Sequence, residues 1–186
     1  MALSKPRDII FELVGAYFNR LYTSPVRTKA VTSCVFATLG NLISQKLSGA
    51  KYLNQDSLVA FALFGLLIGG PVPHYFYMYA QRYLKHPMGL LLVERLLYTP
   101  GFLALALYML ARFEGKSHEA SRDQLKKLYW PTLTANLKYL TLLQYINIRF
   151  VPPVLRVLFV NMVGLFWSVY LANQRAKLAK DKSARN

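Results

Sequence analysis

The sequence predicts an all-α membrane protein, a polytopic bundle of about four transmembrane helices with amphipathic helices beside them. Three observations carry this. Of 186 residues, 54% are apolar and only 17% are charged, where soluble domains usually carry ~25% charged, and mean hydropathy is +0.25. The apolar residues gather into runs long enough to cross ~30 Å of hydrocarbon. Finally, 23 Lys and Arg against 8 Asp and Glu give a net charge of +15, and the basic residues flank the apolar runs, as they do beside membrane spans. The composition excludes a disordered chain, a collagen and a coiled coil. A pI near 10.0 would suit nucleic acid if the charge sat on one polar domain. It does not, so no nucleic-acid partner is expected. The length fits one domain, residues 1–186. The single cysteine, Cys34, leaves no internal disulfide and suits a small buried apolar position.

The first residues carry Arg7, Asp8 and Glu12 and no apolar run with a small-residue cleavage site, so no secretory signal is expected. Residues 7–22 read as an amphipathic helix. Ile9, Ile10, Leu13, Val14, Tyr17, Phe18 and Leu21 share half of the helical wheel, with Asp8, Glu12 and Asn19 opposite. Such a helix either lies in the membrane interface or packs on the bundle. Ser24-Pro25 ends it, because the residue before proline is pushed out of the helical region.

The first span is 26–47, moderately apolar, with Thr38, Asn41, Gln45 and Ser48 in an ~80° arc. A polar stripe in a span must face protein or water, since unsatisfied polar groups are costly in lipid. A polar turn follows. The second span is 57–80, 24 residues without a charge. It holds Gly65-x-x-x-Gly69, a spacing that permits close approach of another helix. Next comes Gly70-Pro71-Val72-Pro73, where two missing backbone donors predict a kink. His74, Tyr77 and Gln81 then share a ~60° arc. No second His or Cys stands at ligand spacing from His74, so it reads as hydrogen-bonded within the bundle and no metal is expected.

Lys85-His86-Pro87 breaks the chain again, and the third span is 89–111, with Glu94-Arg95 near its start and Pro100-Gly101 inside. Neighbours on a helix do not face each other, so Glu94 and Arg95 are not a pair by spacing alone. A charged loop runs from 112 to 127, with a short helix expected over 117–128. Trp130-Pro131 is expected to open the next helix, 131–150, since proline suits a first helical turn. Its Asn136, Gln144 and Asn147 fall within ~80°, and Lys138 with Arg149 fall elsewhere on the wheel. This helix belongs in a bundle interior, along water or at the interface. Val151-Pro152-Pro153 leads into the last span, 154–172, 19 residues with one charge, Arg156. Trp167 and Tyr170 suit an aromatic belt. A basic tail occupies 173–186.

With four spans and 131–150 not fully crossing, both termini and the 82–95 connection share one side. That side holds 13 Lys and Arg against 7 on the other, which predicts cytosolic termini. A fifth span at 131–150 would move the C-terminus across.

Several short patterns stand out in the second half: Trp130-Pro131, Asn136, Gln144-Tyr-Ile-Asn147, Phe150-Val151-Pro152, Arg156-Val157, Asn161, Trp167 and Tyr170-Leu171. The first half adds Pro25-x-x-Thr28-Lys29-x-x-Thr32, Gly40 with Gln45, and Gly70-Pro71-x-x-His74-x-x-Tyr77. In order and spacing these residues resemble the family of small membrane proteins that includes peroxisomal membrane protein 2 and the mitochondrial Mpv-type proteins, over residues 17–171. Two positions depart from its pattern. Gly40-Asn41 stands where the family often has Gly-Asp, and Glu94-Arg95 where many mitochondrial-type members have Asp-Gln. Glu94-Arg95-Leu-Leu-Tyr-Thr-Pro100 and Glu114-Gly115-Lys116 look like the peroxisomal branch. The resemblance implies an integral peroxisomal membrane protein forming a weakly selective channel for small metabolites.

The leading expectation is therefore a passive pore. Its candidate lining is Thr38, Asn41, Gln45, His74, Tyr77, Gln81, Asn136, Gln144 and Asn147, with Lys138, Arg149 and Arg156 supplying a positive field. Gly65 and Gly69 are the candidate helix-packing residues. The competing reading is that the polar groups only hold helices together. The alternatives are a channel-like relative in the mitochondrial inner membrane and a membrane scaffold without transport. Expected partners are membrane lipid, small solutes, further copies of the chain and an import receptor for peroxisomal membrane proteins. No enzyme and no cofactor are expected. The chain has no Gly-x-Ser-x-Gly, His-Glu-x-x-His, Cys-x-x-Cys or phosphate-binding Gly-x-x-x-x-Gly-Lys pattern.

Overall fold

The protein is described by a computed structural model over residues 6–47, 52–151, 159, 162–167, 169–174 and 177. All secondary structure among the described residues is helical. Helix α1 is Pro6–Thr23 and α2 is Pro25–Leu47. Helix α3 is Gln55–Tyr83 and α4 is Pro87–Phe113. Helix α5 covers 118–150, and α6 is described at 162–167 and 169–174.

Local chemistry sets these ends. Asn54 caps α3 by accepting from the backbone N–H of Ser57 at 3.0 Å, and Ser117 caps α5 through Ala120 at 3.2 Å. Pro87 takes the first turn of α4. Gly115, at φ 78°, turns the chain after α4 in a conformation that favours glycine.

Two expected boundaries move. The helix expected to open at Pro131 begins at His118 and carries Pro131 inside it. Proline costs that helix one donor, and the hydroxyl of Thr134 bonds the carbonyls of Trp130 and Pro131 at 2.9 and 3.1 Å. The short helix over 117–128 is thus the first part of α5. In α3, where a kink was expected at Gly70-Pro71-Val72-Pro73, a π-turn occupies Gly65–Gly69 and Pro71 starts the next turn. Further π-turns occupy Glu94–Tyr98 in α4 and Asn136–Leu140 in α5, a feature that recurs at functional sites.

Helices α2 to α5 run antiparallel in sequence order. Asn41 meets Ser57 across α2 and α3. Phe64 meets Phe102 and Phe76 meets Tyr98 across α3 and α4. Tyr108 meets His118 and Arg95 meets Asn136 across α4 and α5. Ser44, near the end of α2, bonds the side chain of Asn173, so α6 ends beside the end of α2. Residue 173 lies at the opposite end of the bundle from Pro25, because 131–150 runs back to Pro87–Val93 as part of α5. Helix α1 folds back on α2, where Tyr17 reaches Thr32 at 3.4 Å.

Among the described residues, two helices are long and apolar enough to cross a membrane: α3, 29 residues, and α4, 27 residues, each with hydropathy 1.6. Helix α2 has 23 residues, about 34 Å, and exposes Val31, Val35, Leu39 and Ile43 at four-residue spacing. Of the expected span 154–172, residues 154–158, 160–161 and 168 lie outside the described set. The exterior carries Leu66, Leu67, Leu92, Leu96, Leu97, Leu142 and Phe166, an amount of exposed apolar surface that suits lipid contact.

The glycines of α3 form its contact with α2. A Cβ on Gly65 would stand 2.6 Å from the Cα of Cys34, and one on Gly69 2.7 Å from the hydroxyl of Ser33. Gly70 is as tight against Ala30. The π-turn explains why residues 65 and 70 share a face, since a wider turn brings positions five apart into line. This contact is made inside one chain. The buried core is Ala37, Phe61, Leu103, Leu107, Leu110, Leu128, Leu133, Leu171 and Ala172.

Candidate functional site

Between α2, α3, α4, α5 and α6 lies a cavity of about 670 Å³. Its volume falls in the usual range for small-molecule sites. The half nearer Pro25, Tyr83 and Pro87 is polar, with Lys29 and Ser33 from α2, His74, Tyr77 and Gln81 from α3, and Glu94, Arg95 and Thr99 from α4; Lys85 joins from the α3–α4 connection. Helix α5 adds Asn136, Gln144 and Asn147, and α6 adds Gly164 and Trp167. The far half is apolar, with Phe61, Phe64, Phe102, Leu103, Leu110 and Leu171. The core forms its floor, where Leu110 is 0% and Phe61 2% exposed.

The polar groups are held in pairs. Lys29 Nζ lies 3.1 Å from His74 Nδ1. An ammonium group has only donors, so Nδ1 accepts and Nε2 carries the ring proton. Gln144 donates to the hydroxyl of Tyr77 at 3.2 Å. Arg95 donates to Glu94 at 2.6 Å and to Asn136 at 3.1 Å. A ladder of rings backs this wall. Phe76 stacks on Tyr98 at 4.0 Å and Tyr98 on Phe102 at 5.2 Å.

Six of the nine expected lining residues therefore border one cavity: His74, Tyr77, Gln81, Asn136, Gln144 and Asn147. Thr38, Asn41 and Gln45 do not. Asn41 and Ser57 sit one turn past Ala37 and Phe61, beyond the floor. There Thr38 bonds the carbonyl of Cys34 at 2.8 Å, Asn41 donates to Ser57 at 3.0 Å, and Gln45 donates to Asn41 at 2.7 Å. Gln45 also accepts from the backbone N–H of Asn54 at 2.6 Å. These groups satisfy one another and fasten α2 to the start of α3.

The expected positive field moves as well. Lys138 is exposed beside the ring of Tyr139, 5.5 Å from its centroid, and Arg149 is exposed. Neither borders the cavity, and Arg156 lies outside the described residues. Among the described residues, the cations that border it are Lys29, Lys85 and Arg95. Glu94 and Arg95 are also a pair after all, with their side chains 5% and 12% exposed. Arginine is long enough to fold back on its neighbour, and the π-turn at Glu94–Tyr98 narrows the angle between successive side chains. The signal that could have found them is that ionisable residues inside spans usually mark function. Lys29 was legible as a flanking charge and as part of the Pro25-x-x-Thr28-Lys29-x-x-Thr32 pattern, but not as a lining residue, because its partner is 45 residues away.

Comparison with known proteins identifies the family. The pattern of the Mpv17 / PMP22 family matches residues 111–172. Peroxisomal membrane protein 2 of Bos taurus is 35% identical over 172 residues, 86% of this chain and 88% of its own. PXMP2/4 family protein 3 of Dictyostelium discoideum is 36% identical over 92% of this chain and 96% of its own. Peroxisomal membrane protein PMP22 of Arabidopsis thaliana is 26% identical over 83% and 85%. No solved structure matches. An all-helical bundle with an apolar exterior and near-full-length similarity to these relatives is a membrane protein, and the chain belongs to the Mpv17 / PMP22 family.

Proposed function

We propose that this protein is a channel of the peroxisomal membrane, a weakly selective passive conduit for small metabolites, with the conduit inside one chain. The cavity carries the reading. Polar side chains from four helices converge on one space inside an apolar exterior, an arrangement that admits water and small solutes. The peroxisomal assignment rests on the printed names of the relatives from Bos taurus and Arabidopsis thaliana and on the Glu94-Arg95 pattern. Four or more membrane passes fit the alternating helices α2 to α6.

The floor sets a condition on this function. Leu110 and Phe61, with Leu107 in the core cluster around them, close the cavity toward the Asn41–Ser57 end. Conduction requires that this dry layer part or wet, as hydrophobic constrictions in channels do. The same closure favours one competing reading, a membrane scaffold that conducts nothing. Purified protein in liposomes decides between them. A conduit releases solutes up to a size limit, whereas a scaffold retains even the smallest.

A further inference from the structure

We propose that the cavity binds single-chain amphiphiles with a carboxylate head, the head at Lys29 and His74 and the chain directed at the Phe61–Leu110 floor. This goes beyond the conduit reading and does not depend on it.

The argument begins with charge. Among the described residues, three cations border the cavity against one carboxylate, Glu94, and that carboxylate is already held by Arg95 at 2.6 Å. Lys29 and Lys85 are left without a counter-charge in the described lining. Lys85 is exposed at the mouth, whereas Lys29 is half-buried. Lys29 spends one of its three N–H donors on His74. Two ammonium donors and the imidazole Nε2–H remain to bind an anion. A carboxylate accepts from several donors at once and gains charge assistance from the ammonium.

Shape supplies the rest. From this head site the lining turns apolar along α2 itself. Ala37, eight residues after Lys29, borders the floor, about 12 Å away along the axis. Phe61, Phe64 and Leu110 continue that surface. A hydrophilic anion would leave it uncovered, and an alkane or alcohol would leave the lysine without an anion. A fatty carboxylate such as octanoate covers both.

Trp167 borders the cavity, and Trp130, the other tryptophan, is 67% exposed on the outside. Trp130→Phe therefore leaves one fluorescent reporter at the site. The test titrates full-length Trp130→Phe protein, in phosphatidylcholine nanodiscs, with hexanoate, octanoate, octanol and octyl phosphate, against empty nanodiscs. Saturable octanoate binding is expected. Each added methylene should tighten it about fourfold, and octanol should bind at least about tenfold more weakly. Lys29→Gln should weaken octanoate by about tenfold or more, and Lys29→Arg should restore most of it. Lys138→Gln should change nothing.

Equal binding of octanol and octanoate, no dependence on chain length, or tighter binding of octyl phosphate overturns the proposal. These comparisons need no substitution at Lys29, so a poorly folding variant cannot mask the answer. Solute flux from liposomes is measured in parallel. Binding without flux removes the conduit and keeps this site, and flux without binding does the reverse.

Discussion

Gly70 of α3 rests on Ala30 of α2 so closely that a Cβ on the glycine would stand 2.5 Å from the Ala30 Cα. Backbone lies on both sides, so neither can yield as a flexible side chain does. Gly70→Ala and Gly65→Leu should each destabilise the protein in detergent, by at least about 1–3 kcal/mol for the alanine change. Gly89→Ala and Gly101→Ala, where an added Cβ meets nothing within 4 Å, should melt like the parent. Thermal unfolding of the four variants side by side checks this.

Glu94 and Arg95 should behave as a unit. Glu94→Gln leaves a buried guanidinium without its anion, which costs about 3–5 kcal/mol. Glu94→Leu with Arg95→Met removes both charges and should recover most of that loss. Asn136→Ala removes one acceptor of Arg95 at 3.1 Å and should cost about 1.5–3 kcal/mol. A double variant no more stable than Glu94→Gln would show that the pair is not coupled.

The floor divides the polar residues into two groups, and thiol chemistry should see the division. In a Cys34→Ser background, Ser33→Cys and Gln144→Cys border the cavity and should react with aqueous thiol reagents. Asn41→Cys, at 2% exposure and beyond the floor, should be protected. Equal rates at Ser33 and Asn41 would mean that no dry layer separates them.

These contrasts also show what was readable beforehand. Helix positions for α2 to α4 followed from prolines and apolar runs, since Pro25, Pro87 and the uncharged stretch 57–80 are local signals. Pro131 misled for the same reason. It fits a first turn, yet the favourable start lay at Ser117, whose side chain caps the helix. Arcs on a wheel showed which residues share a face but not what that face meets. The His74 and Gln144 stripes turned into a cavity, whereas the Asn41 stripe turned onto Ser57. The partnerships Lys29–His74 and Arg95–Asn136 span 45 and 41 residues, so only the fold joins them. The π-turns shift the phase of three helices, and no periodicity argument at 3.6 residues anticipates them.

Charge selectivity should follow the cations that border the cavity. Lys29→Gln should shift the reversal potential of an asymmetric salt gradient toward cations, as loss of one positive charge in a narrow polar path does. Lys138→Gln and Arg149→Gln, both on exposed positions, should leave it unchanged. The reverse order of effects would place the conduit outside the bundle interior.

The claim that one chain carries solute through its own cavity is tested most directly by blocking that cavity from within. Gln144→Cys in a Cys34→Ser background is reconstituted in liposomes, and release of solutes of graded size is followed before and after reaction with a bulky aqueous thiol reagent. The cavity account predicts release before modification, loss of most of it afterwards, and recovery on reduction of the mixed disulfide. Stoichiometric modification with release unchanged would contradict it and place the path elsewhere.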